Sequence, residues 1–481
     1  MYRYAHCEKS CQFNPTGSNS RKTQSDLSLR ISHVIFAKQA SHSRHRVLTA
    51  VGECSLPSGS AAPAMQSALS EPFITPSKRK GTTVVTASAA LVKAIVGTGI
   101  FALPPAIRAS GLLLGSAVSL LMGVVSLFTT WTMLEAVREL RRRGHAKDDD
   151  GRIEYTAVAG LYAPRAERVL TVLCIVGQFG SSLGYFAFIC TSVQPFVASM
   201  ISRPQTFAII AAIEAPLILL RDTSHPAFEA AMAFGNVAVG LALCTVLWGT
   251  VVAPSEAYPH PPINELKIVD PGGIGLLFGV TLIMFSCHLE SVSIEADMAS
   301  RDQFDRVMNL TFWSLFVVYI GFGLAVYASL GEATGRVHAN PSDASSAWMD
   351  ATIMQNLDDG AFVIAVKLLM SLNLVMMMPI TLLPASRAME QMIGAGTPAT
   401  QALARLTMIV SLAVAAALLP GFEMIVGLTG ALGGVTCFTL PVLCYAHFCG
   451  DQLPTWQLAA AYGVAAFGVV GTLWSFVQQL T

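Results

Sequence analysis

The sequence predicts an all-α integral membrane protein. It has eleven transmembrane helices: two inverted repeats of five, with helices 1 and 6 broken, plus one extra helix. Three observations lead there. The 481 residues are 53% apolar and 12% charged, with a mean hydropathy of +0.56, whereas a soluble domain is roughly a quarter charged. Eleven stretches are apolar over a length at or near that of a bilayer crossing. Two of them, at equivalent places in the two sets of five, carry residues that an uninterrupted membrane helix avoids.

Residues 1–80 are polar, Ser- and Arg-rich and without periodicity, with eleven Lys/Arg against four Asp/Glu. This reads as a disordered cytosolic tail. An organelle transit peptide is also Arg- and Ser-rich, but no amphipathic helix emerges here, and no apolar signal-peptide core opens the chain. Residues 81–481 then form one transmembrane domain. Its spans are approximately 87–109, 112–137, 168–200, 204–220, 227–253, 271–294, 307–330, 360–389, 403–420, 423–448 and 455–478. The fourth and ninth are short, and the third is long enough to tilt.

Orientation follows from the basic residues. Segments on one side hold 24 Lys/Arg and those on the other hold 4, while Lys93 and Lys367 lie inside spans. The positive-inside rule places the N-terminus in the cytosol and the C-terminus outside or in a lumen. Thr481 follows the last span closely, so no C-terminal domain is expected. The acidic loop 331–359 reads as a solvated loop, and proline within Asn340-Pro341-Ser342 rules out a glycosylation acceptor. Zero net charge argues against a nucleic-acid partner. The ten Cys lack the spacing of a disulfide framework or a zinc site, so no metal is expected. No Ser-His-Asp, metal-ligand or phosphate-loop pattern marks an enzyme.

The first span, within Thr86–Gly111, holds Gly97-Thr98-Gly99, then Pro104-Pro105, and a lone charge at Lys93. Glycine weakens a helix and proline removes a donor. In hydrocarbon the freed peptide groups persist only against protein or a wet cavity. The sixth span is apolar from Gly275 and then reads Ser286-Cys287-His288-Leu289-Glu290-Ser291. Hydroxyls and ionisable groups at that depth need partners, so an unwound stretch over 286–291 is expected. Paired interruptions are how many secondary transporters hold a solute near the midplane.

Four fragments in register resemble one family. Lys93 through Gly97-Thr98-Gly99-Ile100-Phe101 to Pro104, with Gly111 beyond, resembles the first-helix signature of amino acid/auxin permeases. Phe278-Gly279 through Phe285 to Glu295-Ala296-Asp297-Met298 is similar to the sixth helix of their proton-coupled amino acid branch. Pro379, Pro384 and Glu390 resemble the eighth helix; Arg405, Pro420-Gly421-Phe422, Gly427, Gly430 and Pro441 resemble the ninth and tenth. The match covers about 87–448 and points to the proton-coupled and vacuolar branch of the APC superfamily. The resemblance implies an eleven-helix fold and transport of free amino acids, often proton-driven. The branch commonly has Glu-Gly where Ser286-Cys287 stand and Leu-Pro where Val292-Ser293 stand, so the pocket is expected to differ. Sodium-using relatives have Asn in place of Lys93. A fixed ammonium there would repel sodium, by about 4 kcal/mol at ~4 Å and intermediate dielectric.

The candidate substrate-binding residues are Gly97, Thr98, Gly99, Tyr185, Ser286 and Cys287, with N–H groups of the first break meeting the substrate carboxylate. Lys93, His288 and Glu290 are candidates for proton coupling. Glu390 beside Arg387 is a candidate cytosolic gate. Glu214 and Lys367 are buried charges with either a proton-path or a structural role, and Ser371 and Asn373 are further pocket candidates. The expected function is alternating-access transport of small to medium neutral amino acids by a monomer, without a cofactor and driven by protons rather than sodium. The alternatives are an uncoupled or exchange carrier, and an amino-acid-sensing receptor on the same fold. The sequence leaves the plasma membrane and a vacuolar or lysosomal membrane both open.

Overall fold

The computed structural model describes residues 82–145, 152–219, 226–338, 348–350, 352–358, 360–419 and 422–480. The tail expected over 1–80 and the Asn340-Pro341-Ser342 triplet lie outside the described residues. What is described is helical, apart from a small antiparallel hairpin that pairs β1 (Arg336–His338) with β2 (Trp348–Asp350).

Thr83 caps the first helix by accepting the Thr86 N–H, and α1 runs Val84–Ile95. The chain leaves the helix at Val96-Gly97-Thr98 and resumes as α2, Gly99–Ser110, bent 47° from α1. Pro104 and Pro105 lie inside α2 rather than at the break. At Gly111 the chain turns with φ +82°, and a Cβ there would stand 2.7 Å from the Ile268 backbone, so glycine is required twice over. Next come α3 (Leu112–Arg142), the short α4 (Tyr155–Tyr162), α5 (Glu167–Val197), α6 (Arg203–Ile218) and α7 (Pro226–Leu247), the last continuing into a π turn over Trp248–Val252.

The sixth stretch forms α8 (Ile274–Phe285) and α9 (His288–Asp297). Its interruption is narrower than the expected 286–291, because only Ser286 and Cys287 leave the helix. The Ser291 N–H already returns to the Cys287 carbonyl at 2.8 Å, so the next turn closes at once. Then follow α10 (Phe304–Leu330), α11 (Ala361–Ile393), α12 (Pro398–Leu418) and α13 (Phe422–Gly433). A π turn over Gly434–Thr439 leads from α13 into α14 (Leu440–Cys449), and α15 (Thr455–Leu480) ends the described chain. The α11 helix runs through Pro379 and Pro384 and stops at Gly394 in the left-handed conformation.

Among the described residues nine helices are long and apolar enough to cross a membrane, and the α1/α2 pair makes a tenth when taken as one span. The remaining expected span, α6, has 16 residues, fewer than the ~20 that a perpendicular crossing needs.

Packing brings α1, α2, α3, α8, α9 and α10 together, while α5 packs on α11 and α13. The closest approach is between α8 and α13. A Cβ on Gly279 would overlap the Gly427 carbonyl oxygen, and one on Gly430 would overlap that of Gly279. Such stripes of small residues let membrane helices touch backbone to backbone. Gly279→Val is expected to lower the thermal midpoint in detergent, at a cost on the order of 1–3 kcal/mol from overpacking. An unchanged midpoint would show that the two helices separate freely.

Candidate functional site

The two interruptions face one cavity of about 480 Å³, walled by α1/α2, α5, α8/α9, α11 and α13. Each break keeps part of its backbone satisfied. The Ile95 carbonyl accepts from the Tyr319 hydroxyl at 3.0 Å, and the Phe285 carbonyl from Ser126 at 2.7 Å. The first-turn N–H groups of α2 have no place in their own helix, and Gly97, Thr98 and Gly99 line the cavity. Tyr185 leans over this turn, its hydroxyl 3.7 Å from where a Gly97 Cβ would stand. The α2 N-terminus therefore presents donors and the positive end of a helix dipole to the cavity, an arrangement that suits a carboxylate.

Glu154, Arg387 and Gln391 line the cavity and are exposed, which marks its mouth. Two residues past Gly99 on α2, Phe101 packs on Phe188 with ring centroids 5.4 Å apart and on Phe322 at 6.2 Å, and Phe188 meets Phe422 at 5.7 Å. Beyond these rings Arg108 stands 3.6 Å from Glu423 and donates to the Thr334 carbonyl.

The remaining expected site residues separate into several groups. Ser286 lines the cavity, but its hydroxyl donates to Ile283 within its own helix. Cys287 is fully buried and turned away from the cavity, receiving the Ser291 hydroxyl at 3.3 Å. Lys93 lines the cavity, and its ammonium donates to Asn373 at 2.8 Å. Room for this contact comes from α7, where a Cβ on Gly235 would overlap both partners. His288 opens α9 with Nε2 2.8 Å from Thr129 on α3, and its Nδ1 has no hydrogen-bond partner. Glu290 lines the cavity two residues further on and accepts from Gln178 Nε2 at 3.2 Å.

The expected Glu390–Arg387 pair does not form. Glu390 accepts instead from Arg405 Nε at 2.6 Å, and Arg405 also donates to the Ile218 carbonyl, tying α11, α12 and α6 together. The reason is the turn at Gly394, which folds α12 back along α11. Arg387 lies exposed at the mouth, in no ion pair among the described residues. Glu214 is fully buried with neither carboxylate oxygen hydrogen-bonded, and Lys367 lies 6.0 Å over the Phe196 ring. Ser371 bonds back to the Lys367 carbonyl. Sequence reasoning named Arg405 only within the family resemblance, without a partner, and missed Gln178 and Gly235.

Residues 80–481 match the family model for transmembrane amino acid transporter proteins. The chain belongs to this family. Amino acid transporter ANT1 of Arabidopsis thaliana is 22% identical over 403 residues, covering 79% of this chain and 88% of that one. Amino acid transporter AVT3B of the same plant is 24% identical over 415 residues, covering 80% and 91%. Vacuolar amino acid transporter 3 of Schizosaccharomyces pombe is 22% identical over 307 residues, covering 63% of this chain and 42% of that one. Among solved structures, a manganese transporter of Eremococcus coleocola superposes with a TM-score of 0.50 at 11% identity, covering 89% of this chain and 90% of that one. That likeness shows a shared transporter fold and nothing of the cargo. Membership in this family makes the chain a multi-pass membrane transporter protein and not an enzyme. Within it, the cavity between the two interrupted helices is the candidate solute site.

Proposed function

We propose that this protein is a secondary transporter of free amino acids that works by alternating access. The observation that carries the reading is the cavity itself. It is flanked by both helix interruptions and has Glu154, Arg387 and Gln391 exposed at its mouth; in this scheme the ring cluster of Phe101, Phe188, Phe322 and Phe422 is the seal on the other side. The substrate carboxylate meets the N–H groups of Thr98 and Gly99, and its amine meets carbonyls at the Ser286–Cys287 interruption. By the distribution of Lys and Arg the open end is cytosolic. The opposite facing requires the aromatic seal and the Arg108–Glu423 contact to part. The full architecture is then eleven spans, α6 included, with α1/α2 and α8/α9 at corresponding places in two inverted sets of five.

Lys93 is the coupling group in this scheme. It joins α1 to α7 and α11, a contact that must loosen if α1 moves with its neighbours. No carboxylate forms an ion pair with it among the described residues. His288 instead packs against α3 within the same group of helices. The names of relatives from yeasts favour a vacuole-type membrane.

Counterflow in proteoliposomes, with each amino acid inside and labelled amino acid outside, tests the reading. Accumulation is expected for a subset of amino acids, and an imposed pH gradient is expected to drive net uptake. Binding without any flux would sink the transport reading.

A further inference from the structure

We infer that Glu290 is the carboxylate that receives a cationic substrate side chain, so that this transporter prefers lysine- or ornithine-like amino acids. The inference rests on the amino acid transport reading above. Glu290 lines the cavity and is only partly buried. One oxygen accepts from Gln178 at 3.2 Å, a neutral donor that orients the group without compensating its charge. No Lys or Arg forms an ion pair with Glu290 among the described residues. A charged carboxylate at this depth gains strongly from a counter-charge. Neither cation lining the cavity supplies it: Lys93 is bonded to Asn373, and Arg387 stands exposed at the mouth.

Spacing identifies what does. Glu290 stands in the first turn of α9, three residues past Cys287, or roughly 4–5 Å of rise beyond the interruption. A substrate whose zwitterionic end is held at the interruptions can extend a four-carbon side chain over that distance. The ammonium then meets the free carboxylate oxygen, while the Gln178 amide holds the other. A neutral side chain of equal length leaves Glu290 uncompensated, and such a mismatch is where a polar site discriminates most strongly. This reading replaces the neutral preference expected from sequence, where no charge for a side chain was evident.

Lysine and norleucine differ chiefly by the terminal ammonium, so they form the test pair. Counterflow is measured in proteoliposomes with the full chain, each as competitor against a labelled transported amino acid. Lysine is expected to compete roughly tenfold or more better than norleucine. Glu290→Gln is expected to reduce that ratio at least tenfold, and Glu290→Asp to retain a preference for the cation. Should the variants fail to fold, the wild-type ratio alone decides. Norleucine competing as well as lysine overturns this inference and leaves amino acid transport standing. A protein that moves no amino acid at all overturns both.

Discussion

Lys93→Ala is expected to reduce transport at least tenfold, or about 1.4 kcal/mol of lost coupling, and to flatten its dependence on pH. Protein abundance and thermal midpoint are expected to hold or rise. The two halves of this expectation have separate causes. Removing a buried ammonium that no carboxylate pairs with among the described residues relieves a desolvation cost that offsets the loss of the Asn373 contact. The same change deletes the contact with Asn373 that ties α1 to α11. If Lys93 were only a structural strut, the variant would instead melt earlier and keep its pH profile. Gly235→Val reaches the same contact from outside, because its side chain would occupy the space of the Lys93 ammonium and the Asn373 amide. It is expected to impair transport with Lys93 still present. Uptake against pH, measured beside melting in detergent, separates these outcomes.

What the sequence made legible follows the reach of each physical signal. Glycines bracketing Thr98 in an apolar span announce an interruption, and the helix does leave its path at Val96-Gly97-Thr98. The neighbouring prolines gave the same kind of signal without the same result, since α2 carries both. In the sixth span, polarity marked the right place but overstated its extent. A His or Glu in the first turn of a helix facing a cavity has the same composition as one in an unwound stretch. Only the backbone hydrogen bond from Ser291 to Cys287 separates them. Cys287 illustrates a related blindness, because two residues without helical periodicity do not reveal which one faces the cavity. Glu390 was assigned the partner nearest in sequence. Its actual partner, Arg405, is 15 residues away across a turn that brings two helices side by side. Gly235 and Gln178 had no legible signal, for their roles exist only through what other helices place beside them.

Glu295→Ala is expected to cost stability on the order of 3 kcal/mol, the lower part of the range for breaking a buried ion pair. Glu295 lies on α9 with a side chain 1% exposed, and it meets Arg138 at 3.1 Å and Arg141 at 2.5 Å, both on α3. Arg138 continues to Asp305 on α10 at 2.7 Å. One carboxylate thus ties α9 to α3 and, through Arg138, to α10. Its loss removes Arg141's contact with Glu295 and one of the three carboxylates around Arg138, which keeps Glu135 and Asp305, so the cost is that of a partly compensated pair. The arginine side chains are 18% and 14% exposed, so water reaches them in part, which places the effect low in the range. Glu295→Gln keeps the shape and two hydrogen-bonding atoms and is expected to fall between the two. Because α9 carries Glu290 and borders the cavity, the displaced helix end is also expected to weaken substrate competition at temperatures well below melting. Thermal unfolding in detergent, followed by counterflow at a permissive temperature, reads both effects. A melting midpoint equal to wild type would mean that Glu295 adds nothing to the hold between α3 and α9.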